Sequence, residues 1–165
     1  MPRITRFKAG CATAAAGEDA DAESAYTQLT LAESAKLLGK GAIPPTWIKL
    51  PRDRWPESWK DANGNWPIDP VCPLISNLYG HPIAGLLWDK FSQEKIQACG
   101  FQKIKGWESL YVHPKRQVFL GVYVDDFHMA GKSDQLAGAW ADLGKQITFG
   151  DITNFDGTTY LGCTQ

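Results

Sequence analysis

The stretch Val118-Phe119-Leu120-Gly121-Val122-Tyr123-Val124-Asp125-Asp126-Phe127-His128-Met129-Ala130 sets two adjacent carboxylates between two apolar runs. The runs predict two strands, and the acidic pair then falls at the tight turn of a hairpin joining them. Asp is otherwise a poor strand residue, and two side by side repel each other. A divalent cation explains such a pair, because hard ions take oxygen ligands and suppress that repulsion. If a third carboxylate joins them, the site can hold two metals for phosphoryl transfer. A solvated Asp-Asp turn, common at hairpin tips, is the alternative reading of these residues.

Outward from the hairpin, Ala84 to Cys99 predicts a helix on Leu87, Trp88, Phe91 and Ile96, stopped by Gly100. A strand is expected near Trp107 to Val112. After the hairpin, Ser133 is expected to cap a helix whose Leu136, Ala139, Trp140 and Leu143 share a face. A last strand is expected from Thr158 to Cys163. Towards the start, Arg3, Arg6 and Lys8 precede an Ala-rich stretch that reads as a helix end, and an opening strand finishes near Asp21. Leu29 to Leu38 suits a short helix closed by Gly39 and Gly41. Residues 44–70 hold six of the ten prolines with Trp47, Trp55, Trp59 and Trp66, so most of this segment reads as loop around a short strand at Thr46–Leu50. Its indoles suit packing over a core edge, with stacking on bases or sugars as the other option. The element order predicts an α+β architecture, an antiparallel sheet with helices packed on one face.

The chain of 165 residues has the length of one domain, residues 1–165, and its 44% apolar content fits a folded globular protein. Net charge is −1, so no global basic field advertises nucleic-acid binding. Cys11, Cys72, Cys99 and Cys163 are spread apart without a C-x-x-C pair, which argues against a zinc site or disulfide framework. Reduced thiols in an intracellular protein are the expectation. His81, His113 and His128 are isolated in sequence and read as structural or surface residues. No apolar stretch reaches membrane-spanning length, and the start lacks the apolar core of a signal peptide, so no membrane partner is expected.

The third carboxylate is Asp21, which closes the first predicted strand and precedes the aromatic Tyr26 by five residues. The spacing Asp21-Ala22-Glu23-Ser24-Ala25-Tyr26 resembles the first catalytic motif of reverse transcriptases. Val71-Cys72-Pro73-Leu74 through Leu78-Tyr79-Gly80 resembles the copia-type segment before the next motif. Tyr123-Val124-Asp125-Asp126 is similar to the YxDD box, and Tyr160-Leu161-Gly162 to a late motif beside the primer grip. Together these cover about residues 18–165 in the family's order. The chain resembles the palm region of a copia/pseudovirus-type LTR retrotransposon Pol polyprotein.

That resemblance implies an RNA-directed DNA polymerase core adding dNTPs to a primer 3′-hydroxyl by two-metal nucleotidyl transfer, with Mg²⁺ as cofactor and Mn²⁺ as a substitute. Asp21 and Asp125 would be the main metal ligands, Asp126 would assist, and the Ala22 carbonyl would be a further ligand. Backbone amides of Ser24 and Ala25 would face the triphosphate, and Tyr26 would form the floor under the incoming sugar, favouring deoxynucleotides. Val124 would lie near the primer terminus, and Lys145 would stand where relatives carry a basic residue that protonates pyrophosphate. Implied partners are an RNA or DNA template-primer, dNTPs and the remaining Pol domains: fingers, thumb, RNase H and integrase. The implied location is intracellular, in a cytoplasmic particle or the nucleus.

Three features depart from the family pattern. Ile83 stands where many relatives place a nucleotide-contacting Gln, and an apolar side chain cannot supply that hydrogen bond. The span after Tyr26 is longer than the family's by about the Leu29–Gly41 segment, within a 29–70 region of insertion and Pro/Trp-rich loop. The basic fingers residues expected upstream of the palm, and a thumb, RNase H and integrase, lie outside this sequence. Two further readings therefore stand beside the polymerase. One is a catalytically inactive transposon-derived remnant that keeps the palm fold. The other is a Trp-rich carbohydrate- or protein-binding module, in which Asp21 would lie far from Asp125.

Overall fold

The computed structural model describes residues 14–39, 44–155, 159–160 and 163–164. They form an α+β structure with an antiparallel sheet and three α-helices. The chain divides into two compact units, one of Met1–Glu23 with Gln93–Gln165, the other of Ser24–Ser92.

The first unit holds a six-stranded sheet in the order β4-β5-β6-β7-β1-β8. Its strands are β1 (Ala15–Asp21), β4 (Gln102–Lys103), β5 (Leu110–His113), β6 (Val118–Tyr123), β7 (Asp126–Lys132) and β8 (Thr153–Asn154). Every pairing in it is antiparallel. The register Tyr123↔Asp126 leaves Val124-Asp125 as a two-residue loop, so the acidic pair does sit at a tight hairpin turn. The Ala-rich stretch expected as a helix end is instead strand: Ala15 and Ala16 pair with Lys132 and Gly131. Pairing along the whole of β7 overrides the helix preference of alanine.

Side chains alternate across a strand, and directly opposed residues of an antiparallel pair share a face. One face therefore carries Ala20, Tyr111, His113, Val118, Leu120, Phe127 and Met129, all buried. Helix α3 (Ser133–Leu143) packs on β7 and β1 and contributes Leu136, Ala139, Trp140 and Leu143 to the core. Phe149 ties helix to sheet, its ring centroid 5.4 Å from Trp140 and 4.9 Å from Phe127. Gly131 is required where β7 crosses β6. A Cβ there would stand 2.6 Å from Val118 Cγ1 and 2.8 Å from the Gln117 carbonyl oxygen. Ser133 does not cap α3; it is the helix's first residue, and the cap position falls on Lys132 without a side-chain bond.

Helix α2 (Ala84–Ala98) ends at Gly100, which takes φ +93°, a conformation that costs a glycine little. The expected strand near Trp107–Val112 begins later, at Leu110. The single closing strand expected over Thr158–Cys163 is instead a two-stranded pair, β9 (Thr159–Tyr160) with β10 (Cys163–Thr164). Leu161 and Gly162 of the late motif lie outside the described residues, as do residues 1–13 and Gly41.

In the second unit, α1 (Leu31–Leu37) opens with a capping box. Thr30 Oγ1 accepts from the Glu33 N–H, and the Glu33 carboxylate accepts from the Thr30 N–H at 2.9 Å. The two-stranded sheet of β2 (Trp47–Ile48) and β3 (Cys72–Pro73) is shorter than the strand expected at Thr46–Leu50. Prolines on either side remove the donors a longer ladder needs. Asn77 is buried and satisfied, donating to the Ala84 carbonyl and accepting from the Leu78 N–H. Trp55 meets Trp59 at a tilt and Trp66 edge-on, donates Nε1–H to the Leu50 carbonyl, and lies under the Arg52 guanidinium. No helix among the described residues is long and apolar enough to cross a membrane.

Candidate active-site carboxylates

The sheet face opposite α3 carries the acidic residues. Asp21 stands directly across from Asp126, and Asp19 directly across from His128. Two-residue spacing along β1 and along β7 sends all four side chains to that one face. It is open at the hairpin end, where Tyr123 is 55% and Val124 43% exposed.

The Asp126 carboxyl lies beside that of Asp21, its directly opposed neighbour on β1. Burial, the neighbouring Asp21 carboxyl, and the charges of Asp125 and Asp19 push the Asp126 carboxyl up to about 6. The Asp125 side chain acts on Asp126 through its charge. Its backbone carbonyl accepts from the Ala22 N–H at 2.8 Å, fastening the turn to the end of β1. Ala22 is buried and bridges to Phe149, and Asp21's own carbonyl accepts from the Gly150 N–H at 2.9 Å. Val124, first residue of the loop, takes φ +57°. A β-branched side chain is strained there, and strain of this kind gathers at functional turns.

Of the residues singled out in sequence, the first unit brings together Asp21, Ala22, Asp125 and Asp126. Ser24, Ala25 and Tyr26 belong to the second unit. There Ser24 adopts φ +49° before a 3-10 turn over Ala25–Gln28, and its carbonyl accepts from the Thr27 N–H and hydroxyl. Ala25 is buried, and the Tyr26 ring lies 4.3 Å from that of Tyr79. Lys145 is bound to Asp142 at 2.8 Å, and Asp142 also accepts from Arg116. This lysine is thus engaged in a surface ion-pair network at the end of α3.

Asp19 and His128 also pair across the strands, the Asp19 carboxylate in contact with His128 Nδ1, and the sequence does not reveal this pairing. His128 reads as isolated in sequence, although Asp19/Asp21 and Asp126/His128 share the two-residue spacing of one sheet face. That signal becomes readable only once β1 is known to pair with β7. His113 is a buried structural histidine, its Nδ1 accepting from the Arg116 N–H.

Among the described residues, no group of three or more His, Cys, Asp or Glu side chains converges as a ready-made metal cage. The donor set suits Mg²⁺ nonetheless. That ion is held through one or two carboxylates and completes its shell with waters and substrate phosphates, and not by a closed protein cage. Asp21 and Asp126, with Asp125 next in the chain, are the residues that could hold it in this way.

Comparison of the chain with protein-family models, with curated proteins and with solved structures finds no match.

Proposed function

We propose that this chain is the palm-like core of an RNA-directed DNA polymerase, of copia-type retrotransposon ancestry, that transfers dNTPs to a primer 3′-hydroxyl. One observation carries the reading: Asp21, from the first motif, lies directly opposite Asp126, from the YxDD turn, across the β1–β7 pairing. These carboxylates are 105 residues apart by sequence number, and nothing in local chain propensity brings them together. Asp21 and Asp126, with Asp125 alongside, would hold Mg²⁺ or Mn²⁺. Bound there, the ion supplies charge neutralisation for a triphosphate and lowers the pKa of a coordinated hydroxyl.

The chain's own residues set the terms of that binding. Near neutral pH Asp126 is largely ionised, and its repulsion with Asp21 makes the pair a receptor for a cation. Fastening the turn to Ala22 keeps Asp125 beside the pair.

The test is incorporation of dNTPs on a primed RNA or DNA template with Mg²⁺ or Mn²⁺. Activity lost in Asp21→Asn and in Asp125→Asn supports the reading. Folded protein that binds Mn²⁺ yet incorporates nothing supports instead a remnant that keeps the palm fold, the reading favoured by Ile83. A Trp-rich binding module predicts Asp21 far from Asp125, and the 2.8 Å bond from the Ala22 N–H to the Asp125 carbonyl supports the polymerase reading over it.

A further inference from the structure

The acidic face holds one more carboxylate than the motifs assign. Asp19 lies two residues before Asp21 on β1, points to the same face, and is close enough to add its charge to the field at Asp126. By position alone it would be a natural ligand for any cation drawn to Asp21 and Asp126. Its carboxylate is instead engaged across the strands by His128 Nδ1. The two side chains are only 18% and 15% exposed. The Phe155 ring lies 5.9 Å from the imidazole, and Phe155 is held in place by its N–H bond to the Gly17 carbonyl. Gly17 leaves room for that ring, since a Cβ there would stand 2.0 Å from Phe155 Cδ2. The pair is therefore fixed by packing as well as by its own side-chain contact.

We propose that His128 is a positioning residue that withholds Asp19 from the cation site, so that Asp21, Asp125 and Asp126 alone are presented to a divalent ion. The inference rests on the metal reading above. Its chemical sense lies in coordination number. Mg²⁺ demands near-octahedral geometry, and each protein carboxylate added to its shell displaces a water or a phosphate oxygen. A fourth carboxylate would tighten the resting ion while closing a position that a triphosphate needs. His128 removes that competitor by holding its carboxylate across the strands.

Mn²⁺ binding to the full chain, followed by calorimetry and by the Mn²⁺ electron paramagnetic resonance signal, tests this without reference to catalysis. In His128→Leu, which keeps an apolar body beside Phe155, freeing Asp19 should tighten Mn²⁺ by on the order of tenfold, as added ligand charge does. Asp19→Asn alone should leave affinity within about twofold of wild type, and Asp19→Asn combined with His128→Leu should cancel the gain. A His128→Leu protein with the wild-type circular dichroism spectrum but unchanged or weaker binding overturns the proposal. So does about tenfold weaker binding in Asp19→Asn, which would make Asp19 a ligand, and that variant decides the matter if His128→Leu does not fold. Wild-type protein whose Mn²⁺ binding ignores Asp21→Asn and Asp126→Asn overturns the metal site itself, a result distinct from either.

Discussion

Asp21 and Asp126 face each other as a directly opposed pair where β1 meets β7. Antiparallel neighbours of like charge destabilise a sheet. This pair relieves that cost with a proton at low pH and, in the function proposed above, with a cation at neutral pH. The arrangement makes the carboxylates sensitive to pH in a definite direction.

The Asp126 carboxyl, pushed from 3.8 to about 6, holds its proton more tightly in the folded than in the unfolded chain. Its stabilising contribution is complete below about pH 4 and is lost as pH rises through about 6. Asp126→Asn keeps a donor towards Asp21 and carries no charge. It should match wild type at pH 4 and exceed it at pH 7.5 by about 1 kcal/mol, after allowing for solvent screening of a partly exposed pair. Urea denaturation of both proteins at the two pH values measures this. A wild-type advantage at pH 7.5 would contradict it.

Val124 holds φ +57° at the first loop position. Replacement by Gly relieves the clash of a β-branched side chain in this region, which outweighs the extra freedom given to the unfolded chain. Val124→Gly should raise stability by about 1 kcal/mol. The midpoint of chemical denaturation reads the effect directly, and a lower midpoint would mean the turn carries no such strain.

At Gly131 the obstacle to a side chain is backbone as well as side chain, the Gln117 carbonyl at 2.8 Å and Val118 Cα at 2.9 Å. Neither moves without disturbing the β6–β7 ladder. Gly131→Ala should cost about 2 kcal/mol by overpacking. Because that ladder carries the acidic turn, divalent-ion affinity should fall along with thermal stability. An alanine variant as stable as wild type would show that the strands can part without penalty.

The capping box at α1 gives a test confined to the second unit. Thr30→Ala removes the acceptor for the Glu33 N–H and the partner of its carboxylate, and should cost about 1 kcal/mol. Hydrogen exchange of the α1 amides should quicken, while the amides of β6 and β7 keep their protection.

The sequence by itself determined the local pieces: the β6–β7 hairpin with Asp125 in its loop, the body of α2 closed at Gly100, and the apolar face of α3. In each, the controlling signal lies within a dozen residues, as a two-residue or helical spacing or a single turn residue. Alanine content misled where β1 lies, because pairing with β7 decides that segment and propensity does not. Ser133 failed as a cap for a related reason: strand β7 runs on to Lys132 and the helix starts at once. The resemblance to a polymerase motif nominated Asp21, and only the sheet order, with β1 inserted between β7 and β8, decides that Asp21 meets Asp126 and Asp19 meets His128. Such pairings join residues about a hundred apart by backbone hydrogen bonds common to all side chains. No local pattern therefore encodes them, and they are chosen by the burial of Ala20, Phe127 and Met129 beneath α3.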